Sequence, residues 1–223
     1  MKRKNFAMRI AALLFILTMI STCAFATTFA KYVTSGSAND GARVAKWGVV
    51  VTALPTAEDQ KLFDTTYDNG AVVSSVAEEK VVAPGTEGSL AMFTVDGQPE
   101  VAFKVEYVAN LELSGWDVNG NEAGEYCPLV ITVTIDGVDT VCQATTMAYL
   151  ESAVETAIHS ANKSYAANEE VIDSITVSWS WAYSTSPEDD VKDTALGDAA
   201  AAGNAATIKL TVSCTVTQLD VLN

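Results

Sequence analysis

VVAPGTEGSLAMFTVDGQPEVAFKVEY, residues 81 to 107, decides how this chain is read. Ala83-Pro84-Gly85 has the composition of a turn, since proline presets its own φ and the following glycine takes the positive φ that a type II turn needs. Ser89 to Val95 is apolar and β-prone. After Asp96-Gly97-Gln98-Pro99 the residues alternate, with Val101, Phe103, Val105 and Tyr107 on one face and Glu100, Lys104 and Glu106 on the other. That pattern predicts one half-buried hairpin. The same grammar recurs downstream, which predicts a mainly β protein built as an antiparallel β-sandwich.

Upstream of this stretch the chain opens like an export signal. Lys2, Arg3, Lys4 and Arg9 form a basic start, Ile10 to Ile20 is apolar, and Ala24-Phe25-Ala26 before Thr27 is a small-x-small cleavage site. The apolar run falls short of the roughly 20 residues that span a bilayer. Residues 1–26 are therefore expected to be removed, leaving a secreted, extracellular or surface-associated chain with no membrane segment. A lipid-anchored alternative would use Cys23, but Thr22 is a large residue to precede a lipidated cysteine. Removal takes away four of the 13 basic residues and none of the 28 acidic ones, so the net charge moves from −15 to −19. A nucleic-acid partner is excluded on that balance, because phosphate contacts demand clustered Lys and Arg.

Residues 27–43 read as an arm and tether. Thr28, Phe29, Ala30, Lys31, Tyr32 and Val33 are short and β-prone, and Ser35 to Gly41 is small and turn-rich. Residues 44–223 form one sandwich domain. Val44 to Leu54 is expected as a core strand with Trp47, Val49 and Val51 inward, followed by a surface loop to Gly70 holding Glu58, Asp59, Asp64 and Asp68, and by strand character from Ala71 to Val82. Asn110 to Val118 is a further short strand. Asp136-Gly137 between alternating hydrophobics is a two-residue hairpin signal that sets Ile135 against Val138 and Cys142 against Ile131. Cys142 then stands four residues from the level of Cys127, near 13 Å at about 3.3 Å per residue, too far for a disulfide. Cys127, Cys142 and Cys214 all fall on apolar faces and are read as buried thiols, with a disulfide from Cys214 to Cys127 or Cys142 as the alternative.

One amphipathic helix is expected from Thr146 to Lys163, with Met147, Leu150, Val154, Ala157, Ile158 and Ala161 as its apolar stripe and Glu151, Ser152, Glu155 and Asn162 facing away. Val171 to Tyr183 is the longest alternating run, with Val171, Ile175, Val177, Trp179, Trp181 and Tyr183 facing one way and Ser174, Thr176, Ser178 and Ser180 opposite; Ser184 to Lys192 is a polar loop, Asp193 to Ala202 a short Ala-rich helix, and Thr207 to Val216 the last core strand. Trp116, Trp179 and Trp181 are candidates for an aromatic, sugar-stacking surface as well as for core.

Catalytic chemistry finds little to work with. His159 is the single histidine, no His-Glu-x-x-His helix or Gly-x-Ser-x-Gly elbow occurs, and Pro187-Glu188-Asp189-Asp190 lacks the spacing that wraps calcium. No metal site, cofactor or catalytic residue is assigned, so a structural or binding protein is expected rather than an enzyme.

Several segments, in order along the chain, resemble the TasA/camelysin family, the extracellular fibre proteins that Firmicutes export with a SipW-type signal. They are Thr27 to Tyr32, Ala42-Arg43-Val44-Ala45-Lys46-Trp47, Ala83-Pro84-Gly85-Thr86, Pro99-Glu100-Val101, Trp179-Ser180-Trp181, Asp193 to Gly197 and Thr217-Gln218. The resemblance implies a jelly-roll-like sandwich and a fibre or biofilm-matrix subunit that polymerises with itself, with or without an anchor subunit. In that scheme the arm of one subunit fills a groove in the next by donor-strand exchange. The alternatives are a monomeric surface or glycan-binding sandwich and, from the camelysin label, a secreted metalloprotease, for which the histidine cluster is missing.

Overall fold

The structure, a computed structural model, describes residues 8–19, 42–53, 61–117, 125–183 and 186–220. The predicted cleavage site at Ala24, Ala26 and Thr27, the arm from Thr28 to Val33 and the Asn119-Gly120-Asn121 turn lie outside the described residues. The chain divides into two units, residues 1–44 and 45–223. In the first, helix α1 (residues 8–19) exposes Leu13, Leu14, Phe15 and Leu17 alike. No described helix is long and apolar enough to cross a membrane.

The second unit is mainly β and antiparallel, as the alternation predicts. Strands β1 (Val50–Ala53), β2 (Thr66–Tyr67), β3 (Val72–Val73), β4 (Thr86–Gly97), β5 (Phe103–Ser114), β6 (Val130–Ile135), β7 (Val138–Gln143), β8 (Lys163–Tyr165), β9 (Val171–Trp181) and β10 (Thr207–Gln218) are joined by helices α2 (Met147–His159) and α3 (Pro187–Ala201). A five-stranded sheet runs β1-β4-β9-β6-β7, a three-stranded one β10-β5-β8, and β2 pairs with β3. Between the two larger sheets lies a core that includes Phe103, Val105, Tyr107, Leu129, Val133, Val177 and Trp116.

The hairpin expected from residues 89–107 is corrected. β4 pairs with β1 and β9, whereas β5 pairs with β10 and β8, so the chain arches from one sheet to the other. The connector's own polar groups explain why. Glu100 N–H donates to the Lys46 carbonyl at 2.8 Å, the Pro99 carbonyl accepts from Asn168 N–H at 2.8 Å, and the Ala102 carbonyl accepts from Leu219 N–H at 2.8 Å. Three remote segments thus satisfy backbone groups that a hairpin would pair internally.

Other boundaries move for equally local reasons. β5 runs unbroken through Asn110, because the parity of Phe103, Val105 and Tyr107 continues to Leu111 with no breaker between. The first strand shrinks to Val50–Ala53 and is an edge, with Trp47 38% and Val51 39% exposed. Val76 lies outside any strand, and Val81 makes only an isolated bridge to Asp64. The polar stretch before Asp193 is the start of α3. Ser186 accepts from Glu188 N–H, Pro187 opens the helix, and Glu188, Asp189 and Asp190 fill the first turn, where acids favour the helix dipole.

The hairpin β6–β7 has the predicted register, Ile135 against Val138 and Ile131 against Cys142. Its turn residues have φ of 50° at Asp136 and 81° at Gly137, the left-handed pair that a type I′ turn requires. All three described cysteines are free thiols. Cys127 and Cys142 are buried, but Cys214 is only half-buried, a departure whose cause lies in β10.

Candidate assembly groove

β10 is twelve residues long, about 40 Å at 3.3 Å per residue. Its sequence sends Ile208, Leu210, Val212, Cys214 and Val216 to the inner face and Thr207, Lys209, Thr211, Ser213 and Thr215 outward. Every one of those inner residues is half-buried rather than buried. The corresponding residues of β9, from Val171 to Trp181, are all buried. β10 pairs with β5 along its whole length, and among the described residues no strand lies against its other side.

Across the open side stands an equally incomplete edge. β1 pairs with Phe93 to Asp96 of β4 only, so Thr86 to Met92 has no strand partner on that side among the described residues. Between the two edges lies a trough of about 430 Å³ floored by Phe63, Leu90, Met92, Phe93, Leu210 and Val212. It meets a second hollow of about 370 Å³, lined by Val82, Trp116, Trp181, Leu196 and Ile208, and Phe63 and Lys80 border both. The lining is mostly apolar, with Lys61 and Lys80 among its polar members, and an extended segment laid there would find backbone groups to pair with and side chains to bury.

The other edge of the small sheet is closed. β8 pairs with Phe103 to Val105, and beyond it side chains of α2 and the turn after it take over. Tyr107 N–H donates to Asn162 Oδ1 at 2.6 Å, Leu111 N–H to Glu155 Oε1 at 3.4 Å, and Leu113 N–H to Glu151 Oε1 at 2.7 Å. Glu151 and Glu155 are one helical turn apart, about 5.4 to 6 Å, which matches the two-residue repeat of a strand. The expectation that Glu151, Glu155 and Asn162 face solvent is therefore corrected: all three are half-buried against β5. Periodicity missed them because they flank the Leu150, Val154, Ile158 stripe, and the flank of a helix is the part that meets a strand edge beside it. α2 itself is capped by Thr146, which accepts from Tyr149 N–H.

Beneath the Cys214 end of β10 lies a polar cluster. Tyr107 stands opposite Cys214, Tyr165 donates to Asp173 Oδ1, and Asp173 Oδ2 is buried with no hydrogen-bond partner among the described residues. Burial raises the Asp173 carboxyl above its ordinary value, against the opposing effect of the Tyr165 hydrogen bond. Burial likewise raises the Tyr107 phenol and the Cys214 thiol. The Cys127 thiol is pushed up to about 11 by burial, which leaves it protonated and unreactive at neutral pH.

Three of the four tryptophans are not a surface. Trp116, Trp179 and Trp181 are 0%, 3% and 5% exposed, so the sugar-stacking expectation for them is corrected to core. Trp116 Nε1 donates to the Thr207 carbonyl at 2.8 Å and Trp179 Nε1 to the Leu62 carbonyl at 2.6 Å, fixing one indole under β10 and the other under the 61–73 segment. His159 is exposed in the last turn of α2, and no three described His, Cys, Asp or Glu side chains converge as metal ligands. No known protein family, curated protein or solved structure matches the chain.

Proposed function

We propose that the protein is a secreted structural subunit of an extracellular fibre, polymerised by strand addition through its N-terminal arm. The observation that carries this reading is the half-buried inner face of β10, whose outer edge meets no strand among the described residues, together with the Thr86 to Met92 stretch of β4, which on the side away from β9 has no described strand partner either. Thr27 to Thr34 is eight residues, about 27 Å extended, and would cover some two thirds of that edge. Phe29 or Tyr32 would supply the large apolar group, and burying one such side chain contributes about 1.5–3 kcal/mol. The TasA/camelysin resemblance supports the same assignment. Donor and acceptor are different surfaces, so the contact is heterologous and continues as a filament.

Deleting residues 27–34 tests it. The truncated protein is expected to stay soluble and cooperatively folded, since β4 to β10 keep their partners, while filaments seen by electron microscopy for the signal-free chain vanish. Filaments that persist without the arm, or a signal-free chain that forms none at any concentration or pH, would overturn the reading.

A further inference from the structure

We propose that the groove beside Tyr183 binds neutral polysaccharide, at a site that borders the assembly trough at Lys61 and Leu62 but does not rest on the strand-addition reading. The groove holds about 640 Å³ and is lined by Tyr183, Tyr67, Ser89, Thr132, Ser178 and Ser180.

Its platform is built into the backbone. Gly85 has φ of +82°, and a Cβ placed there would lie 2.2 Å from Tyr183 Cε2. The tyrosine ring therefore rests directly on the glycine, and Tyr183 remains 73% exposed. An aromatic ring held on one face and open on the other suits the C–H face of a pyranose.

Beside it stands a row of hydroxyls. Ser89 of β4 is opposite Ser178 of β9, which is opposite Thr132 of β6, so three hydroxyls cross three adjacent strands at about 4.8 Å intervals. In the next row Glu87 stands opposite Ser180. Each hydroxyl both donates and accepts, and the Glu87 carboxylate accepts, which is the inventory needed by a polyol edge.

The same lining argues against other occupants. Asp64, Asp68 and Glu87 outnumber Lys61 around the groove, and the whole chain carries −15, so a polyanion is repelled. An extended peptide would need free backbone groups, but β9 is already paired on both sides at Ser178, with β4 and with β6.

Native gels containing hydroxyethyl cellulose, mixed-linkage β-glucan, galactomannan or xylan, with a polyuronate as the charged control, test the proposal on the purified protein. At least one neutral polymer should retard it. Tyr183→Ala should weaken that retardation at least about tenfold with an unchanged melting temperature, and Tyr183→Phe should retain it. Retardation by the polyuronate alone, by none of the polymers, or undiminished in Tyr183→Ala would overturn it.

Discussion

The paired strands β5 and β10 are of equal length, and their outer sides are finished in opposite ways. β5 presents its outer N–H groups to β8, Asn162, Glu155 and Glu151, whereas β10 presents its own to no described strand. Burial follows the same division. Phe103, Val105, Tyr107 and Leu111 of β5 are buried, while the inner residues of β10 are half-open. An edge of twelve residues with no proline and a single lysine invites pairing, and proteins ordinarily blunt such edges. Here the outer side of β5 is sealed and that of β10 meets no described strand, the asymmetry on which the proposed strand addition rests.

The largest expected effect comes from filling the open side with charge. Val212→Glu places a carboxylate in the trough; it should abolish filaments in electron micrographs, and because Val212 is half-exposed the monomer should still unfold cooperatively. Filaments of normal abundance would show that β10 is not the acceptor.

Opening the sealed side should cost stability instead. Glu151→Ala leaves Leu113 N–H without its acceptor, a loss of about 1–3 kcal/mol in denaturant unfolding, and Glu151→Gln, which keeps an accepting oxygen, should lose clearly less. Equal losses would mean that the contact acts through the carboxylate charge rather than by offering an acceptor to the strand edge.

The smallest effect concerns Asp173, beneath both strands. Its carboxyl is raised in the folded state, so the folded protein binds that proton more tightly than the unfolded chain does. Stability from this group is therefore greatest below the ordinary aspartate value of about 3.9 and falls as pH rises through the raised folded value. Asp173→Asn removes the titration and keeps an acceptor for Tyr165. Its melting temperature relative to the unsubstituted protein should rise from acid to neutral pH, and a pH-independent difference would refute the buried-carboxyl account.

Local grammar determined much of this protein. The Asp136-Gly137 turn with its flanking alternation specified the β6–β7 register down to Ile131 against Cys142, since a two-residue turn leaves one pairing that keeps both apolar sets on one face. The alternation from Val171 likewise specified Val171, Ile175, Val177, Trp179 and Trp181 as buried, but Tyr183, expected in the same row, lies beyond the end of β9 and is 73% exposed. Ser186-Pro187-Glu188 was a legible helix start that composition disguised as a loop. What sequence spacing left open was partnership. Asp96 to Ala102 serves equally as a hairpin turn or as an arch, and only the remote acceptors and donors at Lys46, Asn168 and Leu219 select the arch. Glu151 and Glu155 have the composition of a solvated helix flank, and only the placement of α2 along β5 turns them into strand caps. β10 carries the pattern of a core strand, and only its position at the rim of the sheet leaves that apolar face half-open, because burial belongs to the neighbour a residue meets and not to the residue itself.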